Sequence, residues 1–378
     1  MTSVSATPER GAPVGARSTG SRARPVPSLR HLHELSGPFG LFEHALGREP
    51  RRGNGYCTDD NGRALALACR LPGDPFAEEL ALLSLGFLER AHTGGCHFRL
   101  RLGPGGDWTP DPPSDDATGR ALLGLGVAAA TAPWGTVRER AASLFAAAAC
   151  FRSSWPRAGA YATIAAAMVA RAGAVGRQLR LDARDLLLAG ATQIGSQPNA
   201  RPSLAEWAWP EARLAYANAL LPAACLAAGE ALGREELVAT GLTWLAWLVA
   251  TESLDGHFSF TPVGGRGPGG PKPAWDQQPI EPAAMAYACS LALRASGDAR
   301  WEVPLGEAVD WWLGLNDSGV LMWDPESGGG YDGLLREGVN TNEGAESTIA
   351  FVSAMVLAQA HAARASSRSE TEAVAAPT

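Results

Sequence analysis

Lysine is almost absent from this chain of 378 residues: it occurs once, at Lys272, and arginine supplies nearly all of the positive charge. The formal net charge is −7. A protein that binds nucleic acid presents clustered basic side chains to the phosphates, and the sequence shows no such cluster in its predicted folded body. We therefore predict no nucleic-acid partner, and acidic partners in general are disfavoured.

Long apolar runs are also missing. No stretch reaches the roughly 18 uninterrupted apolar residues that a membrane span needs, and residues 1–27 are basic without the apolar segment of a signal peptide. The six cysteines form no CxxC pair, and several lie in apolar helical runs, where a thiol packs as a small hydrophobe. These features together predict no membrane contact, no export and a reduced, cytoplasmic setting.

Several motifs that would indicate a cofactor are absent. There is no phosphate-binding GxxxxGK[ST] loop and no GxSxG nucleophile motif. The acidic clusters do not form a diphosphate-binding DDxxD pattern, because Arg63 and Gly119 stand where an acid is required. The adjacent pair Cys96-His97 offers too few ligands for zinc. We therefore predict neither a metal nor a cofactor.

Apolar residues recur at helical spacing from Asp60 onward, separated by Gly, Pro and Asp, and alternating strand patterns are missing. The pattern predicts an all-α protein with two alternating series of helices. The first series is predicted at 58–70, 115–131, 157–172, 211–231, 278–296 and 343–363, and the second at 28–46, 75–92, 135–152, 177–195, 234–251 and 300–315. The folded domain should span residues 28–364, and the polar segments 1–27 and 365–378 are predicted to be disordered tails.

The loops distinguish the two series. Connections that leave the first series are short, whereas the four that enter it at 93–114, 196–210, 252–277 and 316–342 are long and rich in Gly, Pro and Trp. If the first series forms an inner ring, its helices run parallel, so their N-termini and all the long loops lie at one rim. The sequence therefore predicts a ligand site at that rim.

Four of the six predicted inner helices begin with a polar cluster. The leading residues, such as Asp59, suit helix caps, but a cap needs one side chain and therefore leaves a second adjacent acid unexplained. Acids in a first turn followed by small apolar residues call for a partner or a ligand. Paired carboxyl groups are suited to general acid and base catalysis. The candidate catalytic residues are Asp60, Asp116, Glu281 and Glu346.

Side chains around these acids are candidates for binding a substrate. Tryptophans in the long loops offer a flat apolar face with a polar N–H, which suits a sugar ring, although they could instead pack the loops against the helices. Arg63 and Arg120 could equally be intrahelical partners of the neighbouring acids. The predicted substrate-binding residues are Asp59, Asn61, Arg63, Trp108, Arg120, Trp207, Trp209, His257, Trp275, Asp276, Gln277, Gln278, Asn342 and Glu343.

Three segments carry a resemblance to a known superfamily. They are Gly55-Tyr56-Cys57-Thr58-Asp59-Asp60-Asn61, Trp275-Asp276-Gln277-Gln278-Pro279-Ile280-Glu281 and Asn342-Glu343-Gly344-Ala345-Glu346-Ser347-Thr348. In this order they resemble the helical domain of the six-hairpin glycosidase superfamily, often encoded beside or fused to bacterial glycosyltransferases. The resemblance covers residues 28–364. It implies an (α/α)6 toroid with small irregular or β-hairpin loops on one rim and a role in carbohydrate metabolism, and it makes a glycosyltransferase one candidate partner.

One departure from that resemblance concerns a lost carboxylate. Similar proteins tend to read Tyr-Asp-Asn-Ala where this chain has Tyr216-Ala217-Asn218-Ala219. Whether this copy keeps full activity is therefore open at the level of sequence.

Three functions remain open. The first is a glycoside hydrolase in which Glu281 or Glu346 is the general acid and Asp60 the base or nucleophile. The second is a non-catalytic module that binds an oligosaccharide and works with a separate glycosyltransferase. The third is a sugar epimerase or isomerase, for which a histidine at the cavity such as His257 would matter.

Overall fold

The computed structural model describes residues 24–197 and 207–375. Most of the predicted N-terminal tail and part of the loop 196–210 lie outside the described residues. Within these ranges the chain forms twelve α-helices. They are α1 (Arg30–Glu34), α2 (Thr58–Ala68), α3 (Ala77–Ala91), α4 (Asp115–Thr131), α5 (Gly135–Ala148), α6 (Pro156–Arg171), α7 (Arg177–Gly195), α8 (Leu220–Leu232), α9 (Glu235–Glu252), α10 (Ile280–Ser296), α11 (Glu302–Asp310) and α12 (Ala345–Ala375).

The even-numbered helices form a closed inner ring. Each of α2, α4, α6, α8 and α10 packs against the next even-numbered helix, and α12 packs back against α2. The odd-numbered helices lie outside, where α3, α5, α7, α9 and α11 each pack against the inner helix that precedes them and α1 packs against α12. Six helical hairpins arranged in this way are an (α/α)6 toroid, so the predicted fold class is confirmed.

Small residues let the inner helices approach closely. A Cβ atom added to Gly124 in α4 would lie 2.3 Å from the backbone oxygen of Gly62 in α2. A Cβ on Gly119 would likewise lie 2.6 Å from the backbone oxygen of Ala158 in α6. The abundance of Gly and Ala in the inner series is therefore a packing requirement of the narrow ring.

Three predicted helices differ most from the observed ones. The predicted outer helix 28–46 is only the short α1, because Gly37, Pro38 and Gly40 interrupt it. The predicted helix 211–231 begins only at α8, since the segment before it forms a turn in which Ala217 has a φ of 46°. At the other end, α12 continues to Ala375, beyond residue 364 where the sequence predicts the folded domain to end.

Four two-stranded antiparallel sheets lie in the loops next to the N-termini of the inner helices. They pair β1 (Ala45–Leu46) with β2 (Glu49–Pro50), β3 (Tyr56–Cys57) with β4 (Arg101–Leu102), β5 (Ser253–Leu254) with β6 (His257–Phe258), and β7 (Gly333–Leu335) with β8 (Gly338–Asn340). These short strand pairs form part of the loops at the rim and do not join into a larger sheet.

The cysteines are not all free thiols, which corrects the interpretation from sequence. Cys96 in the loop 93–114 forms a disulfide with Cys150 just after α5. The sequence offers no signal for this pair, because the two residues are 54 positions apart and only the hairpin packing brings them together. The other four cysteines are buried and free. Among the described residues, no helix has the length and apolar character needed to cross a membrane.

Candidate active site

A cavity of about 320 Å³ opens at the rim where α2 and α12 begin. Its floor carries the first turns of these two helices, and its walls come from the β1, β3 and β7–β8 regions and from the segment before α10. The lining residues are Glu43, His44, Cys57, Asp59, Asp60, Arg63, Asp276, Gln278, Asp332, Asn340, Gly344, Glu346 and Ser347. Six of these carry carboxyl groups, so the cavity favours neutral or cationic ligands over anions.

Arg63 joins two acids that line this cavity. Its Nη1 donates to Oδ1 of Asp60 at 2.8 Å, and its Nη2 lies 2.7 Å from Oε2 of Glu346. Asp60 is buried, with only 3% of its side chain exposed, whereas 41% of the Glu346 side chain is exposed. Two carboxyl groups from opposite ends of the chain are thus brought within the span of one guanidinium group.

The polar contacts continue around the rim from α2 to α4. Arg120 Nη1 lies 2.9 Å from Oδ2 of Asp59 and 3.6 Å from Oδ2 of Asp116. Asp116 also accepts a hydrogen bond from the hydroxyl of Tyr216. Arg120 and Asp116 therefore belong to a network beside the cavity, and neither lines it.

The network then reaches α6, α8 and α10. Arg157 in the first turn of α6 donates to both carboxylate oxygens of Glu211, at 2.6 and 2.8 Å, and to Oδ1 of Asn218 at 3.1 Å. Asn218 in turn donates to Oε2 of Glu281 through its backbone N–H at 3.1 Å and through Nδ2 at 3.2 Å. The first turns of all six inner helices, or the residues just before them, thus take part in polar contacts at one rim.

Glu281 serves this network from a buried position outside the cavity. Its Oε1 accepts the backbone N–H of Ala217, and its Oε2 accepts the two bonds from Asn218. It is only 4% exposed and is not among the residues that line the rim cavity. The geometry gives Glu281 the task of holding the turn that precedes α8.

Comparison with known proteins addresses the fold. No family model matches the chain, and no curated protein matches it in sequence. Solved structures do match: a sugar epimerase from a ruminal bacterium at a TM-score of 0.65 and 11% identity, covering 87% of this chain and 95% of that one. A D-mannose isomerase matches with a TM-score of 0.63 and 14% identity, and the match covers 88% of this chain and 95% of that one. A GH76 alpha-mannanase from Bacteroides thetaiotaomicron matches with a TM-score of 0.60 and 10% identity, and the match covers 89% of this chain and 94% of that one.

The chain shares the toroid of these proteins. At such identities the similarity establishes the fold and leaves the reaction to be argued from the site.

The two acids bound to Arg63 differ in the pKa of their carboxyl groups. Burial raises the pKa of Asp60 to about 7, although Arg63 opposes this shift. Burial also disfavours the charged form of Glu346, but the guanidinium groups of Arg63 and Arg120 outweigh it and hold that pKa below its ordinary value. Near neutral pH the toroid therefore presents one acid that can carry a proton beside one that is ionised.

Six residues predicted from the sequence do line the rim cavity: Asp59, Asp60, Arg63, Asp276, Gln278 and Glu346. The structure brings these together from α2, from α12 and from the segment before α10, which are remote in the chain. Four other predicted polar residues have local structural partners. Asn61 accepts a hydrogen bond from the backbone N–H of Leu41, and Asn342 accepts one from the backbone N–H of Gly47. Gln277 accepts from the backbone N–H of Phe260 and donates to the carboxylate of Asp317. Glu343 accepts from the hydroxyl of Ser327.

The predicted aromatic residues and His257 also lie outside the cavity lining. Trp209 is fully buried and stacks on Trp247, and Trp207 donates its indole N–H to the backbone oxygen of Glu211 at 2.7 Å. Trp108 packs against Phe87, and half-buried Trp275 packs against the core next to Asp276. His257 lies 2.9 Å from Asp317. The tryptophans therefore pack the loops against the helices, which is the alternative to sugar binding that the sequence leaves open.

The sequence does not single out several cavity residues. Glu43 and His44 fall in the segment predicted as an outer helix, and Asp332 lies just before β7 in a segment without a motif. Asn340 begins the polar cluster that precedes the last inner helix, but the sequence does not assign it a role in the site. Arg157, which belongs to the polar network beside the cavity, could have been predicted from the sequence. It follows Pro156 at the start of a helix, where the macrodipole disfavours a cation unless an acid is nearby.

Proposed function

We propose that the rim cavity is the active site of a carbohydrate-processing enzyme that hydrolyses glycosidic bonds through Asp60 and Glu346. The observation that carries this proposal is the pair of acids on Arg63, one with a pKa of about 7 and one with a lowered pKa. Glycoside hydrolysis uses one protonated and one ionised carboxyl group on either side of the scissile bond. The similar structures, named as sugar epimerase, isomerase and mannanase, support a sugar as the ligand.

The roles follow from the two ionisation states. Asp60 donates a proton to the leaving oxygen, and Glu346, ionised and half-exposed, acts as the nucleophile or activates water. This reverses the order that the sequence suggests for the two residues, because burial acts on Asp60 while Arg63 and Arg120 act on Glu346. Asp276, Gln278 and Asn340 line the same cavity and offer oxygen and amide groups to sugar hydroxyls.

The test is a panel of oligosaccharides and aryl glycosides, assayed for release of new reducing ends by the full chain. On a substrate that is turned over, Asp60→Asn and Glu346→Gln should each lower kcat by about 10²- to 10⁴-fold. Glu89→Gln is the matched control, since Glu89 pairs with Arg140 on the outer surface. Activity within twofold of the unmodified chain in both rim variants would remove the proposed roles.

A sugar epimerase or isomerase is the second candidate, and His44 favours it. His44 lines the cavity, 3.6 Å from Oε1 of Glu43, and contributes to the electrostatics of Asp332 and Glu346. A half-exposed imidazole among carboxylates can move a proton at a carbon next to a carbonyl group. The histidine that the sequence suggests for this chemistry, His257, is bound to Asp317 instead.

Isotopes distinguish the two reactions. In ²H₂O, epimerisation or isomerisation by exchange with the solvent places deuterium on a sugar carbon, whereas hydrolysis in H₂¹⁸O places the heavy oxygen in one product. His44→Gln should abolish deuterium incorporation and leave hydrolysis largely intact. A sugar that raises the Tm without any product would instead support the non-catalytic module, whose glycosyltransferase partner stays a prediction.

A further inference from the structure

A second cavity, of about 400 Å³, opens on the opposite face of the toroid. It lies where the inner helices end, so it is separated from the rim site by the length of those helices. Its walls are mostly aliphatic, with Ile164, Met168 and Leu291 among them. We call this second cavity the far mouth.

Basic residues surround the far mouth. Arg70, Arg171, Arg294, Arg364 and His361 line it. Glu230 neutralises part of this charge, since it lies 2.5 Å from Arg294 Nη2 and 3.3 Å from Arg171 Nη1. Within the described residues, neither Arg70 nor Arg364 has a carboxylate within ion-pair distance. Four guanidinium groups therefore line an open cavity, and only two of them, those of Arg171 and Arg294, are paired with a carboxylate.

The C-terminal ends of helices attract cations even without a ligand, so the position of these arginines is not in itself a sign of binding. The environment of Arg70 adds an independent observation. It is half-buried, its guanidinium carbon lies 5.5 Å from the centre of the Tyr287 ring, and it borders a cavity on either side. A partly desolvated cation without an acid is satisfied by an anionic ligand.

The cavity on the inner side of Arg70 is apolar. It has a volume of about 120 Å³ and lies along the axis of the toroid, between Arg70 and Tyr287 at one end and Arg63 and Glu346 at the other. Leu67, Ile280 and Ile349 belong to its walls. Arg70, Tyr287 and Leu357 line both this axial cavity and the far mouth, so the two spaces adjoin.

We propose that the far mouth binds an amphiphilic anion, with a carboxylate or phosphate head group held by Arg70 and Arg364 and a short alkyl chain in the axial cavity. The head group supplies the charge that Glu230 does not. The chain fills space that is lined mainly by apolar side chains. The far mouth shares no residue with the rim cavity, whereas the axial cavity that takes the alkyl chain ends at Arg63 and Glu346, which also line the rim cavity. The proposal does not rest on the proposed hydrolysis, because it is tested by binding alone.

The test measures binding of octanoate and octyl phosphate to the full chain by calorimetry, and the two compounds distinguish a carboxylate from a phosphate source. Inorganic phosphate carries the head group alone and octanol carries the chain alone, so each should bind at least tenfold more weakly. Arg364→Met and Arg70→Met should each weaken binding on the order of tenfold, since each removes a charged hydrogen bond. Exposed Arg184 on α7 supplies the control Arg184→Met, which should bind normally.

Ala283→Phe tests the chain position, because Ala283 lines the axial cavity. This variant should weaken the binding of octyl phosphate and leave the weak binding of inorganic phosphate unchanged. Arg364 is exposed, so its variant should keep the unmodified Tm and remain informative if Arg70→Met fails to fold. Absence of saturable binding by both octyl compounds, or equal affinity in Arg364→Met and Arg184→Met, would overturn the proposal.

Discussion

Arg63 lies 2.7 Å from Glu346, so a side chain of the first inner helix is ion-paired with a side chain of the last. This ion pair links α2 and α12 at the rim, and the packing of α12 against α2 links the same two helices along the rest of the ring. It also sets the charge of Glu346, because Arg63 and Arg120 are the cations that keep its carboxyl group ionised.

The first prediction concerns the pH dependence of hydrolysis. Asp60 is protonated only below about pH 7, so kcat/KM should fall as the pH rises through that value. Glu346 loses its charge only below its ordinary range, so the acid limb should lie below pH 4.5. A pH–rate profile with both limbs above pH 7 would contradict the assigned roles.

A second prediction concerns stability and pH. Burial and the nearby charge of Glu252 raise the pKa of Glu281 from 4.5 to about 7. The folded protein therefore binds this proton more tightly than the unfolded chain, and the free energy of unfolding should fall as the pH rises from about 4.5 to about 7. Urea unfolding across this range should show a shallower decline in Glu281→Gln, whereas Glu89→Gln should follow the unmodified chain.

A third prediction concerns the turn before α8. Ala217 has a φ of 46°, a conformation that costs an L-residue about 1–2 kcal/mol and glycine little. Ala217→Gly relieves this cost, but the greater conformational entropy that glycine gives the unfolded chain opposes it by about 0.4–1 kcal/mol. The free energy of unfolding in urea should therefore rise by about 0–1.6 kcal/mol. Ala219→Gly is the control, because Ala219 is equally buried with a φ of −64° and should lose stability. Equal losses in both variants would contradict the strain at Ala217.

A fourth prediction concerns the contact of α2 with α4. Gly124→Ala places a Cβ against the backbone oxygen of Gly62 and should cost about 1–3 kcal/mol or more, because two backbones must separate. Gly86→Ala is the control: it lies inside α3 with nothing within 4 Å and should gain about 0.5–1 kcal/mol from helix propensity. Thermal unfolding of the two variants should therefore shift in opposite directions.

The disulfide supports a fifth prediction. A bond that closes a loop of 54 residues should stabilise the chain by about 4 kcal/mol through the entropy of the unfolded state. Reduction, or Cys96→Ser with Cys150→Ser, should lower the Tm accordingly. Alkylation of the protein without reductant counts its free thiols. Cys96 and Cys150 should not react, and the four free cysteines should react only after unfolding because they are buried. Labelling of Cys150 without reductant would instead favour the reduced, cytoplasmic setting that the sequence suggests.

Much of the fold could be predicted from the sequence because helical periodicity is local. The predicted bounds of α4, 115–131, agree with the observed helix, and the alternation of short and long loops identifies the inner series without any knowledge of contacts. Prediction failed where a local pattern is overruled by neighbours. The segment before α8 is apolar enough for a helix, yet Glu281 and Arg157 hold it in a turn.

The sequence by itself determined that acids and amides gather at the starts of the inner helices, since that depends only on chain order and helix direction. Which of them share a cavity was decided by the tertiary structure. Asp60 and Glu346 meet at one arginine, whereas Glu281 turns out to be a buried support for Asn218. The physical reason is that a cavity is formed by distances across the ring, and a linear pattern records only distances along the chain.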